Sequence, residues 1–125
     1  MKYRIGIIED ELSIAQMYAF KLEREGYEVK SVANGLKGIE LVKNWKPHLI
    51  LLDLMMPEMS GEEMLEKVRG TDTGSNLKVI VLTNISKTEA PTKLRFLNVD
   101  RYIIKAHYTP SQVVKLVSEV IDQKD

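Results

Sequence analysis

The chain has 125 residues, with 18 basic and 18 acidic side chains and no cysteine, so its formal net charge is zero. That length fits one domain with its own core, and the balanced charge provides no field to hold nucleic acid or an anionic membrane. The lack of cysteine excludes disulfides and thiol chemistry, and neither a signal peptide nor an apolar run of about 18 residues is present, which indicates a soluble cytoplasmic protein.

The chain begins with a strand pattern followed by a helix pattern. Residues 3–8 form a β-branched apolar run that predicts a buried strand, and the run stops at Glu9 and Asp10. Residues 12–25 predict a helix that Gly26 terminates, because apolar residues recur there at helical spacing. These apolar residues are Leu12, Ala15, Tyr18 or Ala19, and Leu22.

A second unit of the same kind follows. Residues 27–32 alternate well enough for a short strand, and Asn34-Gly35 predicts a turn. The helix after this turn stops before Pro47, because a proline disfavours helical backbone in the residue before it. Its expected buried residues are Leu36, Ile39 and Val42.

Four aliphatic residues in a row, residues 49–52, lead directly into Asp53. Such a run, bounded by Pro47 and Pro57, is typical of a strand buried on both faces of a parallel sheet. Its carboxyl end would place Asp53 at the sheet edge where open α/β sheets bind ligands. Asp53 is therefore the leading candidate for chemistry.

The second half of the chain continues the alternation. After a loop at residues 57–61, residues 62–69 predict a helix with Met64, Leu65 and Val68 on one face. Residues 77–82 predict a fourth buried strand that ends at Thr83. Residues 87–97 predict a weaker fourth helix, in which Pro91 fits only the first turn or a kink.

The last unit is the clearest. Residues 101–104 predict a fifth strand that ends at Lys105. The fifth helix has Thr109 as its cap, Pro110 at its first position and Gln112 placed for a capping box. The residues expected on its buried face are Val113, Leu116, Val117, Val120 and Ile121.

Five βα units in a row predict an α/β fold, with a parallel sheet and helices on both faces. No linker, repeat or low-complexity segment interrupts them, so we expect a single domain over residues 1–125. The polar residues 122–125 are too few to form an output domain.

Polar side chains follow four of the five predicted strands. Glu9 and Asp10, Asp53, Thr83 and Lys105 would meet over one crevice if those strands are neighbours. Clustered carboxylates repel one another, and Mg²⁺ with oxygen ligands relieves that repulsion. A carboxylate beside Mg²⁺, with an ammonium and a hydroxyl for the outer oxygens, is what phosphoryl transfer onto an aspartate requires.

At this point the chain resembles the receiver domain of two-component response regulators over essentially its whole length. The matching motifs are Glu9-Asp10, Asp53 with residues 54–61, Thr83, and Tyr102-Ile103-Ile104-Lys105, in the family's order. The resemblance implies a flavodoxin-like sheet with strand order 2-1-3-4-5. It also implies a phosphorylation-dependent signalling switch, which is not an enzyme beyond assisting its own phosphorylation and autodephosphorylation.

The resemblance further implies a role for each motif residue. Asp53 would be the phosphoacceptor and a Mg²⁺ ligand, with Asp10 binding the ion directly, Glu9 through water and Met55 through its backbone carbonyl. These four residues form the expected metal site.

Three further residues would serve the phosphoryl group and the switch. Lys105 and Thr83 would each bind a phosphoryl oxygen. Tyr102 would turn inward as Thr83 moves, although a tyrosine in a buried strand is equally expected to be a core residue. The expected partners are a sensor histidine kinase or phosphotransfer protein, and a downstream protein target. That target would bind the face formed by the predicted fourth helix, fifth strand and fifth helix.

The chain departs from the family at three places. Ala106 follows Lys105 where the family has a cis proline, and a cis bond before alanine costs about 2.5 to 4 kcal/mol. We therefore expect either a strained cis peptide or, in preference, a rearranged trans loop. Asn84 replaces a smaller residue, which predicts slow labelling by small phosphodonors. Met55 and Ile85 are apolar where polar residues often position hydrolytic water, which predicts a long-lived phosphoaspartate.

Other functions remain as alternatives. A pseudo-receiver would keep the fold and bind proteins without taking phosphate, which the unusual loop after Lys105 allows. A haloacid-dehalogenase-type hydrolase would need an acid where Met55 stands. A flavodoxin-like nucleotide site would need a phosphate-binding loop where Glu9 and Asp10 repel phosphate.

Overall fold

The computed structural model describes residues 2–123, so Met1 and the tail residues 124 and 125 lie outside the described part. The elements are β1 (Arg4–Ile8), α1 (Leu12–Arg24), β2 (Glu28–Val32), α2 (Gly35–Trp45), β3 (Leu49–Leu52), α3 (Gly61–Arg69), β4 (Lys78–Thr83), β5 (Arg101–Ile104) and α4 (Pro110–Asp122). Short 3-10 turns occur at Lys87–Glu89, Thr92–Phe96 and Lys105–His107.

The five strands form one parallel sheet in the order β2-β1-β3-β4-β5, which confirms the predicted topology. Parallel neighbours need crossover connections, and these connections place helices on both faces of the sheet. In β3, Leu49 and Leu51 pack in the core with α1 and α4, whereas Ile50 and Leu52 pack in the core with α3. β3 is thus buried on both faces, as its apolar run predicts.

The buried face of α1 is narrower than predicted. Ala15, Tyr18 and Leu22 are buried, but the side chain of Leu12 is 67% exposed. Leu12 is the first residue of the helix and lies at the edge of the stripe that packs on the sheet. Gly26 follows the helix with a φ of 96°, a left-handed conformation that glycine adopts without strain.

The buried face of α2 differs from the prediction because glycines, which have no side chain, form part of it. Leu36 is 61% exposed, whereas Leu41 is buried together with Gly35 and Gly38. A Cβ atom on Gly38 would come within 3.0 Å of the Met64 sulfur on α3. The glycines therefore form the face that packs closely, and a pattern of apolar residues alone misses it.

The predicted fourth helix is wrong. The β4–β5 crossover, residues 84–100, contains two 3-10 turns separated by Ala90 and Pro91. Pro91 restricts the preceding residue to extended backbone, and Ala90 has φ −64° and ψ 144°. The end of the crossover is held by Arg69, whose guanidinium donates to the carbonyls of Leu97 and Asn98, each at 2.8 Å.

Side chains cap the starts of α2, α3 and α4, whereas Glu11 makes no side-chain cap at the start of α1. Asn34, predicted as a turn residue, accepts a hydrogen bond from the N–H of Lys37 at 2.9 Å and thereby caps α2. Ser60 and Thr109 cap α3 and α4 in capping boxes, with Glu63 and Gln112 respectively.

In α4, Val114 is buried in addition to the predicted face, whereas Leu116 is only partly buried. Among the helices of the described chain, none combines the length and apolarity that crossing a bilayer requires.

Candidate functional site

Three carboxylates meet at the carboxyl edge of the sheet. The N–H of Asp53 donates to Ile8, which keeps the residue after β3 beside the end of β1. Glu9 and Asp53 are only 4% and 6% exposed, whereas Asp10 is exposed. One oxygen from each of the three carboxylates lies within 4.8 Å of the others. The predicted convergence of Glu9, Asp10 and Asp53 is therefore present.

Lys105 enters this cluster from the end of β5. Its Nζ lies 2.5 Å from Oε1 of Glu9 and 3.1 Å from Oδ2 of Asp53. The Lys105–Ala106 peptide bond is trans, as are all the others among residues 2–123, and a 3-10 turn follows in place of a cis bend. The trans arrangement thus brings Lys105 to the carboxylates.

Burial and the charges of this cluster shift the pKa values of two groups. Burial raises the pKa of Glu9, and the hydrogen bonds from Lys105 and from the N–H of Glu11 oppose that effect. Burial alone would lower the pKa of Lys105, but the carboxylates of Glu9 and Asp53 outweigh burial and raise it. Lys105 is therefore held as an ammonium ion between the two buried acids.

A second group of residues lies at the end of β4. Thr83 is fully buried, and its Oγ1 accepts a hydrogen bond from the N–H of Ile85 at 3.4 Å. The hydroxyl of Tyr102 donates to the carbonyl of Ile85 at 2.6 Å. Asn84, between Thr83 and Ile85, is exposed. Thr83 and Tyr102 are thus joined through the backbone of Ile85.

The loop after β3 shapes the surroundings of Asp53. The N–H of Met55 donates to Oδ1 of Asp53 at 3.2 Å, and the Met55 side chain is 61% exposed. A Cβ atom on Gly61 would lie 2.3 Å from the backbone oxygen of Asp53, so only glycine fits there. The apolar and charge patterns of the sequence do not single out Gly61, because its role depends on a close approach of two backbone segments.

The donor set fits a hard divalent cation. Three carboxylates face one ammonium within the cluster, so the site retains excess negative charge that Lys105 alone does not balance. Carboxylate oxygens, with room for water beside the exposed Asp10, are the ligands that Mg²⁺ takes. Among the described residues, this is also the only group of three or more acids and histidines placed to hold a metal ion.

The chain is similar to known proteins over nearly its full length. The family model described as response regulator receiver domain matches residues 5–118. Chemotaxis protein CheY of Treponema pallidum is 33% identical, over 82% of this chain and 72% of the relative. A solved CheY-like response regulator receiver domain protein from Methanospirillum hungatei superposes with a TM-score of 0.87 at 30% identity, covering 98% of this chain and 95% of the other.

Other relatives are longer than the region that they share with this chain. The DNA-binding dual master transcriptional regulator RpaA of Synechocystis is 29% identical over 94% of this chain but only 47% of its own length. The chain spans about half the length of the first curated relatives that it matches. The expectation of no nucleic-acid partner is therefore not supported for a full-length protein that contains this chain.

Proposed function

This chain belongs to the response regulator receiver domain family, and on that premise we propose that Asp53 is the phosphoacceptor of a signalling switch. The observation that carries the proposal is a nearly buried carboxylate at the end of the central strand, with Nζ of Lys105 3.1 Å from its Oδ2 and two more acids beside it. Receiver domains are signalling domains rather than enzymes with an external substrate.

The transfer step uses groups of this chain in distinct roles. A carboxylate oxygen of Asp53 attacks the phosphorus of a phosphohistidine on the donor protein, the P–N bond breaks, and the imidazole nitrogen keeps its electron pair. The Lys105 ammonium moves from sharing charge with Glu9 to pairing with a phosphoryl oxygen, and the Thr83 hydroxyl donates to another. Asp10, Asp53, the carbonyl of Met55 and, through water, Glu9 are the proposed Mg²⁺ ligands. When bound, that ion supplies positive charge at the phosphoryl oxygens.

The response to phosphorylation is proposed to pass through the backbone of Ile85. Thr83 and Tyr102 both hydrogen-bond to this residue, so a shift of Thr83 toward a phosphoryl group alters the position of the Tyr102 hydroxyl. The donor is a sensor histidine kinase or a phosphotransfer protein. The downstream protein binds the face made of the β4–β5 crossover, β5 and α4.

Phosphorylation is tested by incubating the chain with a small-molecule acyl phosphate and Mg²⁺, followed by intact-mass measurement. We expect the mass of one phosphoryl group on the wild type, none on Asp53→Asn and none when the metal is chelated. Since Met55 and Ile85 offer no polar side chain to position water, the adduct should persist for many minutes after the donor is removed.

Two results would contradict these statements. A wild-type chain that never gains a phosphoryl group, with a phosphorylated kinase or with any small donor, would establish the pseudo-receiver alternative. Loss of the adduct within seconds would refute the long lifetime while leaving the phosphoacceptor role of Asp53 intact.

A further inference from the structure

A groove of about 660 Å³ lies beside β5, apart from the carboxylate cluster. The β4–β5 crossover forms one wall with Lys87, Pro91 and Arg95, and the other side is made by β5 itself with Tyr108 and Leu116. Neither Asp53 nor Lys105 lines it. The groove therefore shares no residue with the carboxylate cluster, although Tyr102 of the proposed switch also lines it.

One side of the groove is an open sheet edge. β5 pairs with β4 alone, and the N–H of Asp100 donates toward β4, to Val79 at 2.8 Å. Backbone groups of a parallel strand point alternately to its two sides, so the N–H and C=O groups of Arg101 and Ile103 point away from β4. No hydrogen bond between residues of the described chain uses these outward groups. Such an edge can accept an added strand.

The lining of the groove is positively charged. Lys87 and Arg95 make no ion pair or side-chain hydrogen bond with other residues between 2 and 123, and Arg101 donates only to the Asp100 carbonyl, at 2.9 Å. Asp100 is the one carboxylate of the lining, and its Oδ2 already accepts from the N–H of Val79 at 2.8 Å. The lining thus has three cations and one carboxylate that is already hydrogen-bonded. This local excess of positive charge occurs in a chain whose net charge is zero.

The groove has apolar lining on both faces of the sheet, with Leu94 and Val99 in the core on the side of α3 and Ile103 in the core shared by α1 and α4. A bound strand would place alternate side chains on the two faces of the sheet, and each face offers apolar lining. A second copy of this chain fits poorly, because pairing two β5 edges would bring like charges together. An acidic segment matches the charge.

We propose that this groove binds an extended acidic segment of a partner protein, which adds as a strand to β5 and places carboxylates against Lys87, Arg95 and Arg101. The four residues of β5 extend for about 13 Å, which is enough for a short strand. This inference deepens the proposed function, because it names the chemistry of a partner at the output face. The open edge and the cations are present without phosphate on Asp53.

The test uses a fluorescein-labelled peptide of alternating glutamate and valine with the unphosphorylated full chain. Fluorescence anisotropy should show saturable binding, and the same peptide with lysine in place of glutamate should not bind. Methylating alternate backbone nitrogens of the peptide removes strand hydrogen bonds and should abolish binding. Hydrogen exchange at the amides of Arg101 and Ile103 should slow when the unmethylated peptide is present.

Two charge reversals on the same 3-10 turn form a matched pair. Arg95→Glu removes a groove cation and should weaken binding by about threefold or more. Lys93→Glu makes the same change in charge, but Lys93 lies outside the groove and pairs with Glu66 at 3.5 Å, so binding should be unchanged. Circular dichroism of both variants verifies that each is folded.

Several outcomes would overturn the inference. These are no saturable binding at millimolar peptide, equal effects of the two reversals, binding of the methylated peptide, or a dimer of the chain paired through β5. Asp53→Asn should bind the peptide as the wild type does. A chain that takes phosphate but not the peptide refutes this inference alone, and one that binds the peptide but never takes phosphate refutes only the proposed function.

Discussion

At the scale of single residues, Lys105 shares its charge between two acids. Its ammonium is closer to Glu9, at 2.5 Å, than to Asp53, at 3.1 Å. Removing one partner of a buried ion pair leaves an uncompensated charge, which is costly. The same ammonium therefore stabilises the fold around Glu9, and in the proposed transfer it then pairs with a phosphoryl oxygen on Asp53.

Asn84 is expected to limit access to Asp53. It follows Thr83 at the end of β4 and is exposed, so its side chain is free to cover the approach to the carboxylate. We expect Asn84→Ala to be labelled several-fold faster than wild type by a small acyl phosphate, as measured by intact mass over time. Asn76→Ala makes the same change ahead of the amino end of β4 and should label at the wild-type rate. Wild type labelling faster than Asn84→Ala would refute the access role.

At the scale of elements, the β4–β5 crossover is held at both of its ends. The Tyr102 hydroxyl fixes its start through Ile85, and the Arg69 guanidinium fixes its end through Leu97 and Asn98. Arg69 also donates to Gly74 and Leu77, so one side chain joins the crossover to the loop before β4. Because Pro91 prevents a continuous helix, these end contacts replace part of the hydrogen bonding that a helix would supply.

Arg69→Met should therefore destabilise the protein more than the same substitution at a surface arginine does. Four carbonyls would lose a charged donor, and we expect a loss of about 2 to 3 kcal/mol in the free energy of unfolding measured with urea. Hydrogen exchange should rise most at residues 92–98. Arg24→Met on α1 is the control, since among residues 2–123 its guanidinium makes no hydrogen bond or ion pair and lies 5.7 Å from the Phe20 ring. Equal losses for both variants would contradict the role of Arg69.

At the scale of the whole molecule, the apolar runs and strand ends of the sequence predict five strands and the acids and lysine of the site, whereas the sheet order follows from the resemblance to receiver domains. The sequence leaves other features open. It does not predict the broken crossover, since a weak helical pattern around Pro91 leaves open whether a helix bends or breaks. The close packing of Gly38 on Met64 and the role of Arg69 depend on distances between elements. The pairing of Lys105 with Glu9, rather than with Asp53 alone, depends on side-chain geometry in the same way.

The pH dependence of global stability offers a test at this scale. Nδ1 of His48 accepts from the N–H of Arg4 at 2.9 Å, and burial, followed by the charge of Arg4, lowers the pKa of His48 below 6.5. The unfolded chain then binds the proton more readily, so this contribution to stability is present above about pH 6.5 and is lost as the pH falls below it.

His48→Asn keeps an acceptor but does not titrate. Between about pH 7.5 and about pH 5.5, the wild type should lose more of its free energy of unfolding than the variant does. His107→Asn, in the exposed turn after Lys105, provides the control substitution. Parallel stability curves for wild type and His48→Asn would show that His48 does not contribute.

The ion pair between Lys105 and Glu9 joins residues 96 positions apart in the chain. A growing chain on the ribosome therefore makes the two acids that follow β1, and the whole of β3, long before the ammonium that partly offsets their charge emerges. Until β5 is added, the acidic edge has no internal counter-charge and the site is incomplete.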